Sequence, residues 1–146
     1  MSRPDLKWKS LPDMTRSRCD FNPCLFNDYV YLCGGNPACF IEVFFPQTDS
    51  FLQLPSHLNL PKSDVCCLYV HKNCLVVHSE NYITQFSAGP AGQLVRHSQV
   101  LCPSRKCNRS SSKPVLDPTC SLFFVFQRNS CYSFNMNTGA QVQEFP

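Results

Sequence analysis

Tyr29-Val30-Tyr31-Leu32-Cys33-Gly34-Gly35 is the stretch on which the fold turns. A short apolar run rich in β-favouring residues ends on two glycines, which suit a tight turn and a close backbone approach. Runs of the same kind recur at Cys74-Leu75-Val76-Val77-His78-Ser79 and Leu122-Phe123-Phe124-Val125-Phe126-Gln127. Their starts are about 45 residues apart, the period of a four-strand repeat.

Each run has matching neighbours. Behind it lies a second apolar or alternating segment, at 40–45, 81–86 and 131–136, with Phe44, Phe86 and Phe134 in corresponding places. A turn-forming patch comes next: Pro46-Gln47-Thr48-Asp49, then 88–92, then Asn137-Thr138-Gly139. A closing element follows, clearest in Trp8-Lys9-Ser10-Leu11-Pro12, Phe51-Leu52-Gln53-Leu54-Pro55 and Val142-Gln143-Glu144-Phe145-Pro146. In the middle copy it falls near Gln93-Leu94-Val95. Ahead of each run lies a first strand: Phe21–Phe26 joined through Asn27-Asp28, Val65–Val70 joined through His71-Lys72-Asn73, and a short Pro114-Val115-Leu116. Four short strands per repeat unit predict an all-β fold of about three four-stranded units, at 16–55, 63–96 and 114–146. An outer strand at 8–12 precedes them, and a polar, serine-rich, basic loop spans 96–113. An ordinary β-sandwich is the rival, but it has no reason to repeat one four-part order.

The first unit resembles a kelch repeat, on Arg16 and Arg18 ahead of the first strand and the double glycine Gly34-Gly35. Phe44 stands at the family's tyrosine position, and Phe51 at its tryptophan position. Trp8 would be the tryptophan of a preceding repeat. The match weakens in the second unit, where His78-Ser79 replaces the glycines. In the third it rests on Phe134 and Asn137-Thr138-Gly139. The resemblance implies a kelch-like β-propeller over 8–146, and three four-stranded blades plus one strand imply an incomplete ring, since closure takes about four or more blades. The chain is then a piece of a longer one, or a ring completed by another copy or partner, or an open or different β fold. Phe44 and Phe51 are expected to pack between units.

Composition narrows the function. The chain has 146 residues, with 13 Lys plus Arg against 10 Asp plus Glu, too mild a net charge of +3 to argue for nucleic acid. The basic stretch 96–113, with Arg96, Arg105, Lys106, Arg109 and Lys113, lacks interleaved aromatics for that purpose. Its serines Ser110, Ser111 and Ser112 could accept phosphate. Twelve prolines spread along the chain oppose a helical bundle. No run is long and apolar enough for a membrane span, and the start carries no apolar leader, so the expected place is the cytoplasm. The 11 cysteines are then reduced, and those inside apolar runs serve as small hydrophobes. Cys102 and Cys107 come closest to zinc spacing but lack a second pair, so no metal and no cofactor are expected.

Catalysis is not expected either. His78-Ser79-Glu80 lists triad residue types, but neighbours on a strand point to opposite faces. No phosphate-loop, metalloprotease or serine-elbow motif occurs. The expected role is a protein–protein interaction module. What the resemblance implies is substrate recognition for a cullin-type ubiquitin ligase, with a protein or acidic peptide as partner. The alternative is a structural or assembly subunit that completes a β-propeller with another chain or as a homo-oligomer. Candidate binding residues lie in the loops entering the first strands: Arg16, Arg18 and Asp20, with Lys62, Ser63 and Asp64 at the equivalent place in the second unit. An arginine fork suits a carboxylate. The rival reading makes these residues solvated loop charges or a buried tie between units.

Overall fold

The computed structural model describes residues 8–36, 40–55, 58, 65–79, 82–101, 115–117, 119, 121–126, 131–138 and 140–145. The described strands are β1 (Cys19–Phe26), β2 (Tyr29–Asn36), β3 (Ile41–Phe45) and β4 (Ser50–Gln53), then β5 (Val65–His71), β6 (Cys74–Ser79), β7 (Tyr82–Ala88) and β8 (Leu94–Leu101). The last four are β9 (Val115–Asp117), β10 (Leu122–Phe126), β11 (Cys131–Asn135) and β12 (Gln141–Phe145). They form three four-stranded antiparallel sheets, each in chain order.

Local chemistry explains the hairpins. Asn27 and Asp28 both take left-handed backbone angles, φ 48° and 64°, which Asn and Asp tolerate and a two-residue hairpin requires. Lys72 and Asn73 do the same between β5 and β6, at φ 45° and 59°. Gly34 and Gly35 lie at φ 79° and 88° near the end of β2. A Cβ on Gly35 would meet the Cys19 carbonyl oxygen at 2.5 Å, so the close approach expected of the glycine pair is real.

Packing runs face to face along the chain. Tyr31, Cys33, Ile41 and Val43 of the first sheet meet Leu75, Val77, Phe86 and Leu94 of the second in one apolar core. The Tyr31 hydroxyl donates to Gly92 O at 3.0 Å, and Gly92 lies so close under Phe45 that a Cβ would come within 3.0 Å of its ring. On its other face the second sheet offers Val76 and Ile83 to Tyr132, Phe134 and Met136 of the third. The centre of the middle sheet is therefore covered on both sides, which is why β6 is buried on consecutive positions instead of alternating.

The kelch-like propeller expectation is corrected here. The three sheets are separate, and none closes into a ring. Closure would need the outer face of the first sheet to receive another sheet; that face instead holds Leu32, Phe44 and a buried carboxylate, Glu42, engaged by the chain ahead of β1. The strand expected at 8–12 is absent, and residues 8–18 carry no strand. Trp8 and Leu11 are exposed, while Lys9 pairs with Asp49 at the β3–β4 turn. The expected loop at 96–113 begins inside a strand, because β8 runs to Leu101; 102–113 lie outside the described residues. Phe44 and Phe51 stack on each other within the first sheet, ring centroids 4.8 Å apart, not between units.

Candidate functional site

The densest polar cluster lies where the chain enters the first sheet. Glu42 is the second residue of β3, an otherwise apolar strand, and is 0 % exposed. A carboxylate there must be paired or protonated. Arg18, one residue ahead of β1, supplies the pair: its Nη2 contacts Glu42 Oε2, and both side chains are wholly buried. Arg18 Nη1 also reaches the carbonyl oxygens of Gly34 at 3.3 Å and Phe40 at 3.5 Å. The second carboxylate oxygen accepts from the Thr15 backbone N–H at 2.8 Å and from the Thr15 hydroxyl. The Arg18 guanidinium also lies over the Phe40 ring, 4.3 Å from its centroid. Burial pushes the Arg18 pKa down, but a guanidinium facing the Glu42 carboxylate keeps its charge.

Both Arg18 Nη atoms are thus engaged inside the sheet, while its Nε–H is buried without a hydrogen-bond partner, out of reach of a ligand at the surface. Arg18 ties β1, β2 and β3 of one sheet together, so the buried tie lies within a unit and not between units. Arg16, two residues earlier, differs. It is exposed, its guanidinium stands 5.3 Å from the centroid of the Phe40 ring, and no described carboxylate pairs with it. Asp20 lies within β1; Lys62, Ser63 and Asp64 lie outside the described residues. Of the six candidates, the structure brings together Arg16 and Arg18 on one aromatic ring and separates them by role.

Sequence reasoning passed over Glu42, Thr15 and Phe40. The signal was present in Glu42, a lone carboxylate inside Phe40-Ile41-Glu42-Val43-Phe44-Phe45. Cys33 is buried beside this cluster, and desolvation raises its thiol pKa to about 12, with Arg18 pulling the other way.

Elsewhere among the described residues no reactive set of polar groups is seen. His78 is fully buried and belongs to the β6 face that meets the third sheet, while the Ser79 hydroxyl donates to Tyr82 O at 3.1 Å. Glu80 lies outside the described residues. Among the described residues no group of three or more His, Cys, Asp or Glu could hold a metal ion, and Cys19, Cys33, Cys74 and Cys131 are free thiols. No helix among them is long and apolar enough to cross a membrane.

Comparison with known proteins supports the architecture alone. No family model matches the chain, and no curated protein matches it, so the kelch assignment and the repeat-family terms drawn from it are set aside. Among solved structures the chain is similar to the computationally designed Ika8 protein, with a TM-score of 0.51 and 14% identity. That match covers 85% of this chain and 35% of the designed one, so the chain spans about a third of its length. At that identity only the fold is shared, and a fold hosts many functions.

Proposed function

We propose that this chain is a protein-interaction module that takes an acidic segment of a partner at the entrance to the first sheet. The carrying observation is Arg16, an exposed guanidinium held beside the ring of the buried Phe40 and without a carboxylate partner among the described residues. A planar donor fork at a pre-set position loses little freedom on meeting a carboxylate. Next to it, Arg18 and Glu42 cancel each other, so the ligand meets one net positive group. The cullin-ligase role rested on the family resemblance and is dropped with it. A cytoplasmic setting, where thiols stay reduced, belongs to the same proposal.

The test uses an acetylated hexaglutamate peptide against its hexaglutamine counterpart, followed by calorimetry or fluorescence anisotropy. Binding of the acidic peptide alone is expected, weakened about tenfold by Arg16→Ala, the worth of one charge-assisted contact. Equal binding of both peptides, or an unchanged affinity in Arg16→Ala, refutes the reading.

A second reading, an assembly subunit, has its own observation. The fourth strand of every sheet is an edge among the described strands, and these strands leave Leu52, Val95, Leu101, Val142 and Phe145 exposed. Apolar edges invite pairing with another chain. A native mass above that of the 16.6 kDa monomer would favour it.

A further inference from the structure

A second polar cluster lies at the joint of the second and third sheets. The β5–β6 turn there meets the turn that leads into β10. Lys72 Nζ donates to Ser121 Oγ at 2.8 Å, and the same hydroxyl lies 3.4 Å from His71 Nε2. His71 and Ser121 are buried, while Lys72 is exposed, so hydroxyl and imidazole form a floor beneath an open ammonium. No described carboxylate pairs with Lys72. Asp117, at the end of β9, accepts from Thr119 N at 2.8 Å and Thr119 Oγ1 at 2.6 Å.

The backbone at this joint is costly. Lys72 at φ 45° and Ser121 at φ 55° occupy the left-handed region, which neither residue type favours. The equivalent turn of the first sheet uses Asn27-Asp28, which tolerate that geometry. Two strained residues whose side chains meet point to a requirement beyond the hairpin.

We infer that Lys72, His71 and Ser121 form a binding site for an oxyanion, a phosphate group or a carboxylate carried by a ligand. The ammonium supplies charge, the hydroxyl a donor, and the imidazole a second donor once protonated. Burial and the neighbouring ammonium now hold the His71 pKa down; an anion neutralising Lys72 makes His71 easier to protonate. The site is independent of Arg16, being built from other sheets.

The experiment titrates inorganic phosphate, and separately acetate, into the protein at constant ionic strength. It follows the His71 ring resonances by NMR, with exposed His97 as internal control. A saturable shift at His71 and none at His97 is expected, with His71 taking up its proton at higher pH when saturated. Whichever anion saturates at lower concentration identifies the ligand group. Lys72→Asn suits the turn, so its Tm should hold or rise while affinity falls at least about tenfold. Ser121→Gly also accepts the left-handed backbone and should weaken binding as well. No saturation by either anion, equal shifts at His97, or wild-type affinity in both variants overturns the site.

Discussion

Replacing Glu42 by alanine probes the centre of the first sheet. The carboxylate is wholly buried and serves Arg18 through one oxygen and Thr15 through the other. Its removal leaves a buried guanidinium with two long contacts, at 3.3 and 3.5 Å, to carbonyl oxygens. Stranding one partner of a buried ion pair costs about 3–5 kcal/mol. Domains are stable by only about 5–15 kcal/mol, so a large share of the margin would go. In urea, with a slope of about 1–3 kcal/mol/M, the midpoint should fall by roughly 1 M or more. The double variant Arg18→Met/Glu42→Leu removes both charges and should recover most of the loss, because the uncompensated charge is the costly term. The pair should also resist salt, being out of reach of screening. A loss below about 1 kcal/mol in Glu42→Ala would put the pair in the class of exposed ion pairs and refute the reasoning. A double variant as unstable as the sum of its singles would refute it too.

Gly35→Ala should destabilise by at least about 1–2 kcal/mol from the left-handed backbone alone, and more from the clash with Cys19 O, as read from thermal or urea unfolding. A variant with wild-type stability would mean that β2 ends differently. His71 binds its proton less readily folded than unfolded, so the stability it contributes is complete above pH about 6.5 and declines as pH falls below that value. The groups about it are Lys72 on its own turn, Tyr69 along the same face of β5, and Ser121 opposite. His71→Phe should flatten urea stability between about pH 7 and 5, and an unchanged slope would show that another group titrates. Cys33, buried with its thiol raised to about 12, should resist alkylation in the folded protein while exposed Cys19 reacts, as peptide mass spectrometry would report. Early labelling of Cys33 would mean that the first core opens readily.

Much of the fold is legible because strands and hairpins are local. Tyr29–Gly35, Cys74–Ser79 and Leu122–Phe126 become β2, β6 and β10, and the turn between β1 and β2 falls on Asn27-Asp28, as its residue types require. Where the local pattern was weak, at Gln93-Leu94-Val95, the sequence predicted a short strand, and the structure has the eight-residue β8. That strand is mostly exposed along its length, so no apolar run announces it. The candidate site was half legible. Arg16 and Arg18 look alike as loop arginines, yet one is solvated beside an aromatic ring and the other is spent on Glu42.

The alternation and spacing of Phe, Val, Leu and Tyr determined by themselves that this chain is all β, in repeated sets of four strands. They could not determine what covers each sheet face. Strand periodicity records that a face is buried, not what buries it. Only the tertiary structure decided that the first sheet is closed off by the Thr15–Arg18 segment and that the third rests on the second without closing a ring. Only it joined Arg18 to Glu42 across 24 residues and Lys72 to Ser121 across 49. Such pairings depend on which surfaces meet once the strands have packed, and no local pattern carries that information.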